Sequence, residues 1–115
     1  MRTSVTRSFT FEAAHQLPWH QGRCRRLHGH SYRLEVTVEG AVGDNGIVID
    51  FSEIREVVER EVIARYDHQF LNDLFDNPTA ELVAHEIWKT VEAADLPVSR
   101  IRLWETADSW VDVSR

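Results

Sequence analysis

Cys24-Arg25-Arg26-Leu27-His28-Gly29-His30 is the segment of this chain whose residue types and spacing best suit chemistry. If residues 28–30 are extended, His28 and His30 project to the same side, because strand side chains alternate with a period of two. Two imidazoles so placed can grip one metal ion, and Gly29 leaves room for close approach. His15 stands upstream, at the end of Phe11-Glu12-Ala13-Ala14-His15. Three neutral imidazoles with a fourth position open make a catalytic zinc site. A lone histidine is more often a polar loop residue, and short motifs carry false positives. Cys24 has two readings here. It is a fourth ligand of a closed structural site, or a reactive group beside an open one. Arg23, Arg25 and Arg26 favour a negative sulfur by simple attraction.

Further along, Asp67-His68 pairs an acid with a base, and a carboxylate can orient an imidazole for proton transfer. Adjacent side chains need not touch, so a dipole-compensating histidine after a helix is the plainer reading. Glu105 shares strand parity with Ile101 and Leu103, and a carboxylate at the end of an apolar face needs partners. A flat ligand edge with two N–H donors, such as that of a 2-amino-4-oxo-pterin, would satisfy it by a bidentate pair. A solvated strand end is the plainer reading. Arg23, Arg25 and Arg26 form a cationic patch suited to a triphosphate, or simply to solvent.

The elements that must position these groups follow from periodicity. Residues 2–12 alternate, with Val5, Arg7, Phe9 and Phe11 on one side, which predicts a strand. Residues 13–30 read as irregular. Tyr32, Leu34, Val36 and Val38 define a second strand, and the Gly40–Gly46 segment a turn. Ile47-Val48-Ile49 reads as a further extended stretch, antiparallel to the second strand. A helix is expected from Asp50 or Ser52, with Asp50 as cap and Ile54, Val57, Val58 and Val62 as its stripe. After a loop at 66–78, a second helix spans about Thr79 to Ala94, carrying Val83, Ile87 and Val91. Strands at Arg100–Glu105 and Trp110–Val113 complete an α+β pattern, an antiparallel sheet with two helices on one face. The open edges of so small a sheet call for cover by other subunits.

Length and composition bound the function. At 115 residues the chain is expected to be one domain, 1–115, with a thin core that favours a pocket completed by a neighbour. A net charge of -6 argues against a nucleic-acid reader. No apolar run is long enough to span a membrane, and residues 1–7 lack the apolar core of a secretory signal. One cysteine among six histidines precludes an intrachain disulfide, so a reducing, cytoplasmic setting is expected. Gly22, His28, His30 and Glu35 also fit the first cupin motif. No glycine follows Gly46, and helices occupy the second half, so that pattern is not completed.

Six segments together resemble the 6-pyruvoyl-tetrahydropterin synthase / 6-carboxy-tetrahydropterin synthase family: FEAAH (11–15), CRRLHGHSY (24–32), GIVIDF (46–51), YDHQFLND (66–73), NPTAE (77–81) and WET (104–106). They run in order over nearly the whole chain. The resemblance implies the tunnelling fold, in which the sheets of several subunits join into a barrel, and a hexamer with active sites at its interfaces. It implies zinc held by His15, His28 and His30. It assigns Cys24 to proton movement on the substrate side chain, with Asp67 and His68 as its companions, and it matches Glu105, with Thr106 beside it, to the pterin anchor. The implied substrate is 7,8-dihydroneopterin triphosphate. FEAAH followed by Gln16-Leu17-Pro18 looks like the bacterial 6-carboxy branch, which makes 6-carboxy-tetrahydropterin, acetaldehyde and triphosphate for 7-deazaguanine or queuosine synthesis. The pyruvoyl branch eliminates triphosphate and keeps the side chain. Two positions depart from the family pattern: Arg25, where a small residue is usual, and Tyr66, where leucine is common. Cys24 itself argues against a third branch that carries glutamate there.

Overall fold

The alternation in the first forty residues becomes one long hairpin. In the computed structural model, which describes residues 1–115, β1 (Thr3–His15) and β2 (His28–Gly40) are antiparallel partners. Their register runs from Thr3 opposite Gly40 to His15 opposite His28. The strands therefore extend into the stretch read as irregular. Ala13, Ala14 and Gly29 have little strand preference of their own, but the ladder carries them, since β-propensity yields to pairing context. Phe9, Phe11, Ala13 and His15 of β1 point into the core, as do Tyr32, Leu34, Val36 and Val38 of β2. His28 and His30 share that parity.

Ile47-Val48-Ile49 does not form the expected strand. β2 already has β1 on one side and β4 on the other, so no edge is left for it. A local turn closes instead, with Gly43 N–H donating to the Ile47 carbonyl. Val48 and Ile49 pack against the core from that turn. Asp50 then caps α1 (Phe51–Val58) as predicted, its carboxylate accepting from the Ser52 N–H at 2.8 Å. α1 continues through a π-helical stretch (Glu59–Ile63) into a last turn, α2 (Ala64–Tyr66). The wide turn rotates the apolar stripe, so Ile54, Val58 and Val62 are followed inward by Ile63 and Tyr66.

β3 (Gln69–Phe70) lies parallel to β1 at Ala13 and Ala14, a short edge piece within the region expected to be loop. α3 (Ala80–Ala93) starts from a Thr79 cap, whose hydroxyl accepts from the Leu82 N–H. It ends with Asp95 left-handed at φ 68°, and the Leu96 N–H bonds back to the Val91 carbonyl. β4 (Val98–Thr106) pairs with β2, setting Leu103 opposite Leu34, and β5 (Ser109–Ser114) pairs with β4. The sheet order is β3-β1-β2-β4-β5, and only the β1–β3 pair is parallel. The helices cover one face in a continuous core, which gives the expected α+β architecture. Along β1, residues before Ala13 have no β3 partner, so most of that edge is open.

Candidate metal centre and active site

At one end of the hairpin the core face stops being apolar. His15, His28 and His30 follow Phe11 and Tyr32 in strand parity, and the β1–β2 register brings the three imidazoles together. His15 is fully buried. Its Nδ1–H donates to the Pro78 carbonyl at 2.8 Å, and the His28 Nδ1–H donates to the Arg26 carbonyl at 2.7 Å. A carbonyl can only accept, so both rings, when neutral, carry their proton on Nδ1 and present the Nε2 lone pair. Those two Nε2 atoms lie 2.9 Å apart. Two lone pairs facing each other at that distance repel unless positive charge lies between them. Second-shell carbonyls of this kind are what orient metal-ligating histidines.

Glu105 joins the group from β4. The β2–β4 register places Trp104 opposite Arg33, so the next residue on the core face stands beside the histidines. Glu105 Oε1 is 2.9 Å from His30 Nε2 and 3.4 Å from His15 Nε2. The expectation that its parity would demand partners is met by these two rings. His30 Nε2 is buried and makes no well-aligned hydrogen bond. The ligand atoms of His15, His28, His30 and Glu105 all lie within 4.8 Å of one another. Three imidazoles and a carboxylate are a nitrogen-and-oxygen set of the kind that holds zinc, so these residues fit such an ion. Cys24 is not in the group, which therefore is not a closed cysteine-plus-three-histidine site.

Electrostatics agree with a site built for positive charge. Closeness to His15, with the other two rings, holds the Glu105 carboxyl below the usual carboxylate range against the effect of burial. Burial pulls the His15 ring down, but Glu105 and the Pro78 carbonyl outweigh it and the net shift is upward. Burial lowers His30, and the other two rings add to that. Tyr32 forms the floor. It stacks on Phe11 at 5.0 Å, its hydroxyl approaches His15 Nδ1 at 3.5 Å, and burial keeps it protonated.

Cys24 lies in a 3₁₀ turn, Arg23–Arg25, and is partly buried. Its carbonyl accepts from the Leu17 N–H at 2.7 Å. Asn72 clamps the start of the same loop at two points, accepting from Gln16 N–H at 2.9 Å and donating to Gln16 O at 2.8 Å. Trp19 ties the loop to Asn77 by a 2.8 Å bond. Asn77 precedes the carbonyl that orients His15, so the loop bearing Cys24 and the metal-directed rings share supports.

Asp67 and His68 do touch. His68 Nδ1 lies 3.0 Å from Asp67 Oδ2, and the His68 backbone is left-handed at φ 61°. β1 holds the pair in place: the Glu12 N–H donates to Asp67 Oδ1, and the Glu12 carbonyl accepts from the His68 N–H. The Glu12 N–H, with His68 beside it, keeps the Asp67 carboxyl below its usual range. The His68 side chain is 78% exposed. It lines a cleft of about 450 Å³ together with Glu12, Gly29, His30, Ser31 and Phe70. A side chain at Gly29 would meet only the Ala13 carbonyl, at 3.7 Å, so packing within the chain does not demand glycine there. Thr106 turns away from the group, its hydroxyl donating to Asp108. Sequence reasoning did not find Pro78, Arg26 or the Glu12 backbone as supports. Carbonyl and N–H groups leave no residue-type signal, and only the NPTAE and YDHQFLND segments marked the neighbourhood.

A family profile described as 6-pyruvoyl tetrahydropterin synthase matches residues 4–115. The chain is 39% identical over 113 residues to the 6-carboxy-5,6,7,8-tetrahydropterin synthase of Synechocystis sp., covering 91% of this chain and 88% of that protein. It is 32% identical to the Haemophilus influenzae protein of the same name, covering 94% and 96%. It is also 34% identical over 116 residues to a dihydroneopterin monophosphate aldolase of Pyrococcus furiosus, covering 98% of both. Among solved structures, Caenorhabditis elegans 6-pyruvoyl tetrahydropterin synthase superposes with a TM-score of 0.90 at 22% identity, covering 100% of this chain and 96% of that one. That likeness is one of fold, and it is the tunnelling fold.

Proposed function

The chain belongs to the 6-pyruvoyl tetrahydropterin synthase family, and on that premise we propose that it is a zinc-dependent 6-carboxy-5,6,7,8-tetrahydropterin synthase. The reaction is conversion of 7,8-dihydroneopterin triphosphate and water to 6-carboxy-tetrahydropterin, acetaldehyde and triphosphate, on a route to 7-deazaguanine compounds such as queuosine. The observation that carries the reading is the facing pair of His15 and His28 Nε2 lone pairs, 2.9 Å apart, with His30 and Glu105 beside them. The relatives named for the 6-carboxy activity favour this branch over the pyruvoyl one.

When bound, zinc supplies Lewis acidity toward the side-chain hydroxyls. The remaining chemistry belongs to the chain. Cys24 takes and returns a proton on the substrate side chain, and His68 relays one, oriented by the Asp67 carboxylate. The Glu12 backbone makes that pair rigid, which is what a proton relay requires of its geometry. His68 is exposed and touches Asp67 rather than the imidazole group, so a neighbouring subunit completes the site. The open β1 edge supports the same assembly, a homohexamer whose sheets join into a barrel, each subunit a single domain over residues 1–115. No helix is long and apolar enough to cross a membrane; the one free cysteine suits the cytoplasm.

Likeness to the Pyrococcus furiosus aldolase favours one rival, aldol cleavage of a dihydroneopterin phosphate. Mass analysis of the pterin product separates the readings. The proposed activity leaves a carboxyl at C6, the pyruvoyl activity a dicarbonyl side chain, and aldol cleavage a hydroxymethyl group. A hydroxymethyl or dicarbonyl product would overturn the proposal.

A further inference from the structure

One row of side chains crosses the helix-free face of the sheet from edge to edge. The registers place Thr10 opposite Arg33, Arg33 opposite Trp104 and Trp104 opposite Trp110. The two indoles touch, with ring centroids 4.2 Å apart. Arg33 lies over Trp104 at 5.6 Å, and Arg102 over Trp110 at 5.2 Å. Arg102 is itself fixed by Asp112, through bonds of 2.7 and 3.0 Å. The outer member of this braced pair, Trp110, stands on edge strand β5 and is 45% exposed. Neither the metal centre nor the Asp67–His68 pair uses it. Tryptophan and arginine side chains are the commonest anchors of protein interfaces, and braced ones lose little freedom on contact.

The opposite edge of the sheet has a complementary shape. On the same face β1 presents Ser4, Thr6, Ser8 and Thr10, all small and all exposed. From Thr3 to Glu12 the outer backbone of β1 is unpaired, because β3 covers only Ala13 and Ala14. An edge this long, with no proline and no charge on its helix-free row before Glu12, is a template for another strand. The β1–β2, β2–β4 and β4–β5 pairs are all antiparallel, so β5 runs opposite to β1. A second copy can therefore lay its β5 antiparallel along β1 with both faces of the sheet continued. Val111 and Val113, half-buried against the core, then extend the helix-facing row of Val5 and Phe9. Trp110 falls on the hydroxyl row.

We propose that the Trp104–Trp110 pair anchors the seam between copies of this chain, with Trp110 of one copy seated on the Ser4, Thr6, Ser8 and Thr10 row of the next. This rests on the assembly of several subunits proposed above and names the side chains that hold it together. Each copy offers β5 to one neighbour and β1 to another, the head-to-tail contact from which rings are built.

The test is sedimentation velocity of the full chain over a dilution series, for wild type, Trp110→Ala, Trp110→Phe and Ser8→Arg. Circular dichroism establishes which variants are folded. Loss of an anchoring side chain weakens an interface about 30-fold or more. Trp110→Ala should therefore dissociate at protein concentrations at which the wild type is intact. Trp110→Phe, which keeps a ring, should hold together better than Trp110→Ala. Ser8→Arg puts a long cation into the receiving row and should dissociate like Trp110→Ala, so the proposal stays open to refutation even if one variant does not fold. Assembly of Trp110→Ala at wild-type concentrations overturns the anchor, and the same result for Ser8→Arg overturns the receiving row; either leaves the assembly itself standing. A wild-type chain that sediments as a monomer at every concentration overturns the assembly, and the seam with it.

Discussion

His15 and His28 face each other through Nε2 atoms 2.9 Å apart while each Nδ1–H is committed to a backbone carbonyl. Folding of the hairpin therefore builds a local demand for positive charge, and metal binding should be linked to stability. Zinc at about 1,000-fold above its Kd adds about 4 kcal/mol to the folded state. We expect a Tm several degrees higher with zinc than after chelation, and loss of that increment in His28→Ala. A zinc-independent Tm in wild type contradicts this.

Cys24 stands outside the donor group. Cys24→Ala should retain zinc at wild-type stoichiometry while turnover falls by about 10²- to 10⁴-fold, the usual contribution of a positioned proton-transfer group. Loss of zinc along with turnover would show that the thiol holds the ion.

The Thr79 cap and the Pro78 carbonyl are adjacent, so the start of α3 is coupled to His15. Thr79→Ala should cost about 1 kcal/mol of stability and also weaken zinc binding, read by denaturant titration and chelator competition. Asp50 caps α1 away from the site, so Asp50→Ala should lower Tm and leave zinc affinity unchanged.

Acid sensitivity of the metal-free protein follows from carboxylates held below their ordinary range. These include Asp50, through the Ser52 hydrogen bonds, and Asp112, through its two-point pair with Arg102. A folded-state pKa below the unfolded one gives stability that is fully present above the unfolded value. It is lost as pH falls through the folded one. The contribution of these carboxylates should thus hold steady from neutrality toward pH ~4, and urea midpoints should decline below that. The destabilisation in Asp50→Ala should shrink over the same decline, because protonation removes what the mutation removes. A mutational effect that persists undiminished in strong acid contradicts the assignment.

The strand alternation, the Asp50 cap and the shared face of His28 and His30 were legible because each depends on near neighbours in sequence. The parity of Glu105 was legible too, but its contact with the histidines depends on the β2–β4 register, which pairs Arg33 with Trp104 across some seventy positions. The Ile47–Ile49 stretch misled because strand preference says nothing about whether an edge is free. Asp67 and His68 were readable as a pair of types. That they touch depends on a left-handed His68 and on the Glu12 backbone, neither of which has a residue signature.

The most direct test of the account is acetaldehyde release from 7,8-dihydroneopterin triphosphate by the zinc-loaded protein, with chelated protein and Cys24→Ala alongside. The account predicts acetaldehyde equimolar with 6-carboxy-tetrahydropterin in the zinc-loaded sample and next to none in the other two. Substrate consumption without acetaldehyde, or equal release from the chelated protein, would contradict it.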